Sequence, residues 1–232
     1  MYLNKLKGTE FIMNKIYLNN VLVKEYENLK QFKLTINGDN NLLKLYDFEG
    51  PALVYIYIDG NHNKFKFGKN NIVRNDLSIN YWGTADQKPL NSEIIIGNNN
   101  FFNGSNIVII APLTKSLKIG NGNLFAGNIC FWARNDHIIY DCKTKKRLND
   151  DQNIIVGNNN WICQNVSFLP GGKIKNNSIV AYGSLVNKGI KESHVLLAGT
   201  PVNIKKSGVN WSRASKIENV DFKNNLNVKN IN

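Results

Sequence analysis

Large apolar residues return at every sixth position along much of the chain. From Val156 a step of six lands on Ile162, Phe168, Ile174, Val180 and Val186, all large and apolar. With roughly one residue in three of that type, a fixed frame does this by chance about once in 700. The same spacing recurs upstream in blocks of three: Ile119, Phe125 and Phe131; Ile96, Phe102 and Val108; Phe67, Val73 and Ile79. A weaker block is formed by Ile36, Leu42 and Phe48, with Val54 continuing it. Several blocks open alike, with FGKNN from Phe67, IGNNN from Ile96, IGNGN from Ile119 and VGNNN from Val156.

The frame breaks only after a third hexad, at 85–95, 114–118 and 137–155. Three hexads therefore make one unit, and each excursion leaves from the same corner. A period of six is not the 3.6 of a helix, and two to four residues between corners are too few for sandwich strands. The pattern predicts an all-β, three-sided parallel solenoid with one inward anchor per side, each stacked on its equivalent about 4.8 Å away. Glycine and asparagine suit the corners because both tolerate positive φ. The expected division is cap strands over 1–35, the coil over 36–204 with a protruding loop at about 137–155, and a short extension over 205–232, after Pro201 closes the hexads.

Composition changes the picture in three places. The chain of 232 residues holds 41 asparagines, far above ordinary usage. Corner chemistry explains part of that excess, and a Lys- and Asn-rich genome contributes. Lys and Arg number 29 against 17 Asp and Glu, a net +12. Genome bias or a partner rich in phosphate or carboxylate both account for this charge. No helix-turn-helix, zinc finger or aromatic RNA-binding signature accompanies it, so no nucleic acid partner is expected. Cys130, Cys142 and Cys163 are odd in number and unpaired in spacing, which reads as free thiols in a reducing compartment. No apolar run approaches the ~18 residues of a membrane span. Lys, Glu and Asn interrupt the first twenty residues, so no signal peptide is read there and a cytoplasmic location is expected.

The stretch VGNNNWICQNVSFLPGGKIKNNSIVAYGSLVNKGIKESHVLLAGTPVNIKK at 156–206 closely resembles the C-terminal coils of the hexapeptide-repeat acyltransferases, a left-handed parallel β-helix family. The resemblance spans about 96–213. NDHIIYDCKTKKRLN ahead of these coils, and VNWSR after them, are most similar to the O-acetyltransferases of bacterial capsule and O-antigen polysaccharides. The resemblance implies the left hand of the coil, a homotrimer, acetyl-coenzyme A as co-substrate without a metal, and a glycan or sugar-precursor acceptor. Residues 1–66 carry none of it.

His137 falls where the frame calls for an apolar anchor, and the longest excursion begins there. A hydroxyl is a poor nucleophile near neutral pH, so its acetylation needs a base, and histidine suits that task. The resemblance implies a catalytic His in this loop, and the interval to Trp161 is similar to that in sugar acetyltransferases of the class. Asn135 and Asp136 flank His137, and Asp141 follows; any of the three is placed to hold the imidazole tautomer. Trp161 is too large for the interior of so narrow a coil and should face out, as a subunit contact or as a wall of the acceptor site. The resemblance favours the wall.

For the donor, the resemblance implies a groove between subunits lined by the backbone N–H groups of Gln164 and Tyr182. Small Ala181 and Gly183 would admit the pantetheine arm, with Ala198, Gly199 and Pro201 beyond, and Lys188, Lys205 and Lys206 would supply charge for phosphates. The Gln164 N–H is the candidate oxyanion donor. Cys163 is a formal alternative nucleophile without a neighbouring His. His62 and His194 read as structural or exposed. The three histidines are too scattered for a zinc hydratase on the same coil. N-acetylation of an amino sugar nucleotide and a non-catalytic solenoid remain as alternative functions.

Overall fold

The corner motif GNNN assigns a separate task to each residue. In Gly97–Asn100, a Cβ on Gly97 would lie 2.5 Å from the Gly120 carbonyl oxygen, so successive turns stack too closely there for any side chain. Asn98 Oδ1 accepts from the Lys69 N–H of the preceding turn at 2.8 Å. Asn99 has φ +58°, in the left-handed region that asparagine tolerates. Asn100 points inward: its Nδ2 donates to the Gly120 carbonyl at 2.9 Å and its Oδ1 accepts from the Asn123 N–H at 2.9 Å. The inner asparagines form a buried column. Asn71, Asn100, Asn123 and Asn160 each accept from the next corner at 2.8–2.9 Å, ending on the Ser178 N–H. Buried amides that bond to one another in this way hold the corners in register, although the Asn160 Nδ2 at the end of the column has no partner among the described residues.

Between corners lie three parallel sheets. The computed structural model describes residues 13–84 and 86–220. Residues 1–12 of the expected cap and 221–232 of the expected extension lie outside the described residues. Face 1 runs through Lys15–Leu18, Leu42–Leu45, Lys64–Phe67, Glu93–Ile96, Ser116–Ile119, Ile154–Val156 and Lys173–Ile174. Face 2 runs through Ile72–Val73, Phe101–Phe102, Leu124–Phe125, Trp161–Ile162, Ile179–Val180 and Val195–Ala198. Face 3 runs through Phe32–Asn37, Val54–Asp59, Leu77–Tyr81, Ile107–Ile110, Ile129–Trp132, Ser167–Phe168 and Leu185–Val186. The chain visits the faces in the order 1, 2, 3. Antiparallel strands finish two of the sheets: Val21–Leu22 beside Lys15–Leu18, and Asn203–Ser207 beside Val195–Ala198. This is the three-sided parallel β-helix that the hexad pattern predicts.

The core is the stack of anchors. Phe102 and Phe125 lie face to face with centroids 4.9 Å apart, and Phe131 and Phe168 lie 4.8 Å apart, the strand spacing itself. Among the described residues long excursions leave only between faces 3 and 1, as the frame breaks predict. Two details differ from the hexad reading. Four residues, 103–106, join Phe102 to Ile107, where three suffice between Val73 and Leu77. The extra residue makes Ile109 the inward anchor, paired with Ile79 and Phe131, and turns Val108 outward. In the weak first block Ile36 packs against the core, and Phe48 and Val54 are buried, but Leu43 and Leu45 point inward in place of Leu42. A shift of one residue exchanges the two faces of a strand, so a slipped frame reads outward residues as anchors.

Candidate active site

After Ile129–Trp132 on face 3 the chain leaves the coil and returns at Ile154 on face 1. Arg134 anchors the departure. Its side chain is fully buried, donates to the Trp82 carbonyl, stacks over the Trp82 ring at 4.7 Å and pairs with Asp136. Trp82 packs edge-on against Trp132, so the loop base is fixed to the start of the first excursion, two turns earlier. Asn135 closes the neck: its N–H donates to Asp151 at 3.0 Å and its Nδ2 to the Asn149 carbonyl at 3.0 Å. The loop folds as a small hairpin, with Leu148 N–H donating to the Ile139 carbonyl and Tyr140 paired with Arg147.

His137 sits on this hairpin, exposed. Its carbonyl accepts from Asn149 Nδ2 at 2.7 Å, while Asn149 Oδ1 accepts from the Ile139 N–H at 2.8 Å. Asn149 thus grips the backbone on both sides of the histidine. Asp141 caps the hairpin turn, accepting from the Thr144 and Lys143 N–H groups and the Thr144 hydroxyl. The Thr144 amide, then its hydroxyl and the Lys143 amide, hold the Asp141 carboxyl below the ordinary carboxylate range. A group with a lowered folded pKa gives its support above the unfolded pKa and loses it as pH falls through the folded one, so the cap is intact at neutral pH. Asn135, Asp136 and Asp141, the three candidates for orienting the imidazole, are therefore engaged in shaping the loop. None of them hydrogen-bonds the ring.

Trp161 lies on face 2 and faces outward at 38% exposure. The chain after Asn203–Ser207 folds back over this face and places Trp211 against it, with ring centroids 6.1 Å apart. Trp211 is buried and its Nε1 donates to the Asn159 carbonyl at 2.7 Å. Further along, the Arg213 guanidinium stacks over Phe101 at 5.0 Å, and burial pushes its pKa down. Within one chain His137 and Trp161 stand on opposite sides of face 1: the loop leaves before it, and Trp161 follows it.

The expected donor residues divide in the same way. Gln164, Gly183 and Gly199 stack on one another at the corner between faces 2 and 3. Gly183 N–H donates to the Gln164 carbonyl at 3.1 Å, and Leu185 N–H to the Gly199 carbonyl at 3.0 Å. Thr200 Oγ1 donates to the Gly183 carbonyl at 3.3 Å, and Pro201 follows at the same edge. Ala198 ends the strand that feeds this corner. Among the described residues no acceptor meets the Gln164 N–H, which leaves it free for a ligand. The Tyr182 N–H points to the Cys163 thiol, while the Tyr182 ring stands 67% exposed and its hydroxyl meets Asn165 Nδ2. Lys188 lies apart, at the corner between faces 3 and 1, bonded to Asn203 Oδ1 at 2.9 Å. Lys205 and Lys206 are on the final antiparallel strand.

Burial raises the Cys163 thiol pKa, with the Tyr182 amide opposing in part, so the thiol is protonated at neutral pH. His194 takes the left-handed corner slot at φ +58°, next in the column after Asn159 and Asn177, and its Nε2 lies 3.2 Å from Asn177 Nδ2. Among the described residues no three His, Cys, Asp or Glu side chains group as metal ligands. No described helix is long and apolar enough to cross a membrane. Arg134, Asn149 and Trp211 were not legible as site residues, because each acts through a partner distant in sequence.

No protein-family model matches the chain. A stretch of 93 residues is 30% identical to the polysialic acid O-acetyltransferase of Escherichia coli O1:K1 / APEC, covering 40% of this chain and 30% of that relative. The crystal structure of the polySia specific acetyltransferase NeuO superposes with a TM-score of 0.69 at 25% identity, over 90% of this chain and 80% of that one. The polysialic acid O-acetyltransferase OatWY shares the fold, with a TM-score of 0.51 at 19% identity, over 83% of this chain and 99% of its own.

Proposed function

Because this chain belongs to the hexapeptide-repeat acetyltransferase family, we propose that it transfers acetyl from acetyl-coenzyme A to a hydroxyl of a bacterial capsule polysaccharide of the polysialic acid type. The observation that carries this is the likeness to NeuO along 90% of the chain, together with a histidine presented on a braced loop. His137 takes the proton of the acceptor hydroxyl as its oxygen attacks the thioester carbonyl. The free Gln164 N–H receives the oxyanion of the tetrahedral intermediate. Collapse breaks the carbon–sulfur bond, and the imidazolium returns its proton to the departing thiolate of coenzyme A. A protonated Cys163 is a poor nucleophile, which favours direct attack over an acyl-enzyme.

The same placement supports a homotrimer. His137 and Trp161 lie on opposite sides of face 1 in one chain, so a site using both closes when His137 of one subunit meets face 2 of its neighbour. Identical flat faces suit such cyclic closure.

The test offers acetyl-coenzyme A with polysialic acid, a neutral polysaccharide and an amino sugar nucleotide. The proposal expects acetyl on the polysialic acid as an ester that mild base removes. Acetyl recovered only as a base-stable amide, or no acceptor-dependent release of coenzyme A, overturns it.

A further inference from the structure

Lysine is unevenly spread over the three faces. The strands of face 1 carry six, at positions 15, 44, 64, 66, 118 and 173. The strands of face 3 carry only Lys33, and the parallel strands of face 2 carry none. A general lysine bias would load every outward position alike, so it does not account for this. Pairing places Lys44 opposite Lys66, then Ile95, Lys118, Ile155 and Lys173 in one row along the coil axis. With about 4.8 Å per strand the row runs about 24 Å from Lys44 to Lys173. Glu93, ion-paired to Lys118 at 3.0 Å, is the one acidic residue in the strands of this face. Like charges in directly opposed positions destabilise a sheet, and lysine is depleted from subunit interfaces. A row in which only Lys118 has an acidic partner therefore points to an anionic partner taken from solution.

A cleft of about 340 Å³ opens at the edge of this face, lined by His62, Lys64, Lys115 and Asn153 among others. Asn153 is the residue by which the His137 loop rejoins the coil, its Oδ1 accepting from the Ser116 N–H at 3.0 Å. The edge of the lysine-bearing face and the reactive loop therefore meet at one corner of the molecule.

We propose that face 1 is a docking track, separate from the reacting groups, for a polymer bearing carboxylates along its length. The polymer lies along the coil axis and passes the corner from which the His137 loop projects. This rests on the polysaccharide acceptor proposed above and requires that acceptor to be acidic.

The test measures binding in the full-length His137→Ala protein without acetyl-coenzyme A, so turnover plays no part. The probes are long polysialic acid, dextran, and single-stranded DNA of matched charge. Replacing Lys44, Lys66 and Lys173 together by Gln should weaken polysialic acid binding about tenfold or more, since exposed charge contacts are individually modest but act together here. Raising salt from about 50 to about 500 mM should weaken the parent similarly. Dextran should not bind either protein. The melting temperature should hold or rise, because like charges are removed. Equal affinity in parent and triple variant, salt-insensitive binding, or tighter binding of the DNA each overturns the track. Salt-sensitive binding without acetyl transfer in the wild-type enzyme would sink the reaction and leave the track standing. Transfer with binding unaffected by the triple substitution would do the reverse.

Discussion

Replacing Asn149 by Ala isolates how far the loop, as distinct from the base itself, determines the rate. The substitution removes the donor to the His137 carbonyl at 2.7 Å and the acceptor of the Ile139 N–H at 2.8 Å. Each is worth about 1 kcal/mol net, and water replaces part of that at this exposed site, leaving about 1–1.5 kcal/mol of lost loop order. That corresponds to roughly a tenfold fall in the population holding His137 in place, and kcat/KM should fall about as far. The melting temperature should hardly change, because residues 142–148 are exposed and the stacked core is untouched. The pH profile should keep its shape, since the base is unchanged. In a His137→Ala background the substitution should add almost nothing, because both act through one group. The assay is coenzyme A release under subsaturating acceptor, with circular dichroism for stability. A loss under twofold, an equal loss in the background lacking His137, or a fall in melting temperature like that of a core substitution would each refute the reasoning.

Other substitutions address separate parts of the molecule. Asn123→Ala removes a fully buried amide that accepts from the Asn160 N–H and donates to the Gly157 carbonyl; it should destabilise by about 2–4 kcal/mol, measured by denaturant unfolding, because two buried partners are left unpaired. Cys163→Ser should keep activity within about threefold, as expected of a thiol that burial keeps protonated; abolished turnover would point to a covalent route. Trp211→Ala removes the buried ring that backs Trp161 and should cost about 3 kcal/mol of stability and raise the acceptor KM more than it lowers kcat; an unchanged KM would separate Trp161 from acceptor binding.

The coil was legible because its information is local and repeated. An anchor every sixth residue fixes the triangle, and GNNN at the corners follows from positive φ at the middle asparagine and from amide columns inside and out. The slip at Val108 escaped because one added corner residue leaves composition unaltered and changes only which residue faces inward. The exposed placements of His137 and Trp161 were readable from anchor positions and side-chain size. Asn149 and Arg134 were not, since their meaning lies in carbonyls and rings reached only after folding. The lysine row needed strand register as well as sequence, because Lys66 and Lys118 become neighbours of one column only through Ile95.

The most direct measurement compares the wild-type chain with His137→Ala in acetyl transfer from acetyl-coenzyme A to polysialic acid, both proteins shown to melt alike. The account predicts robust ester formation by the wild type and a rate about 10² to 10⁴ lower in the variant, the range for loss of a general base. Equal rates in the two proteins would contradict it.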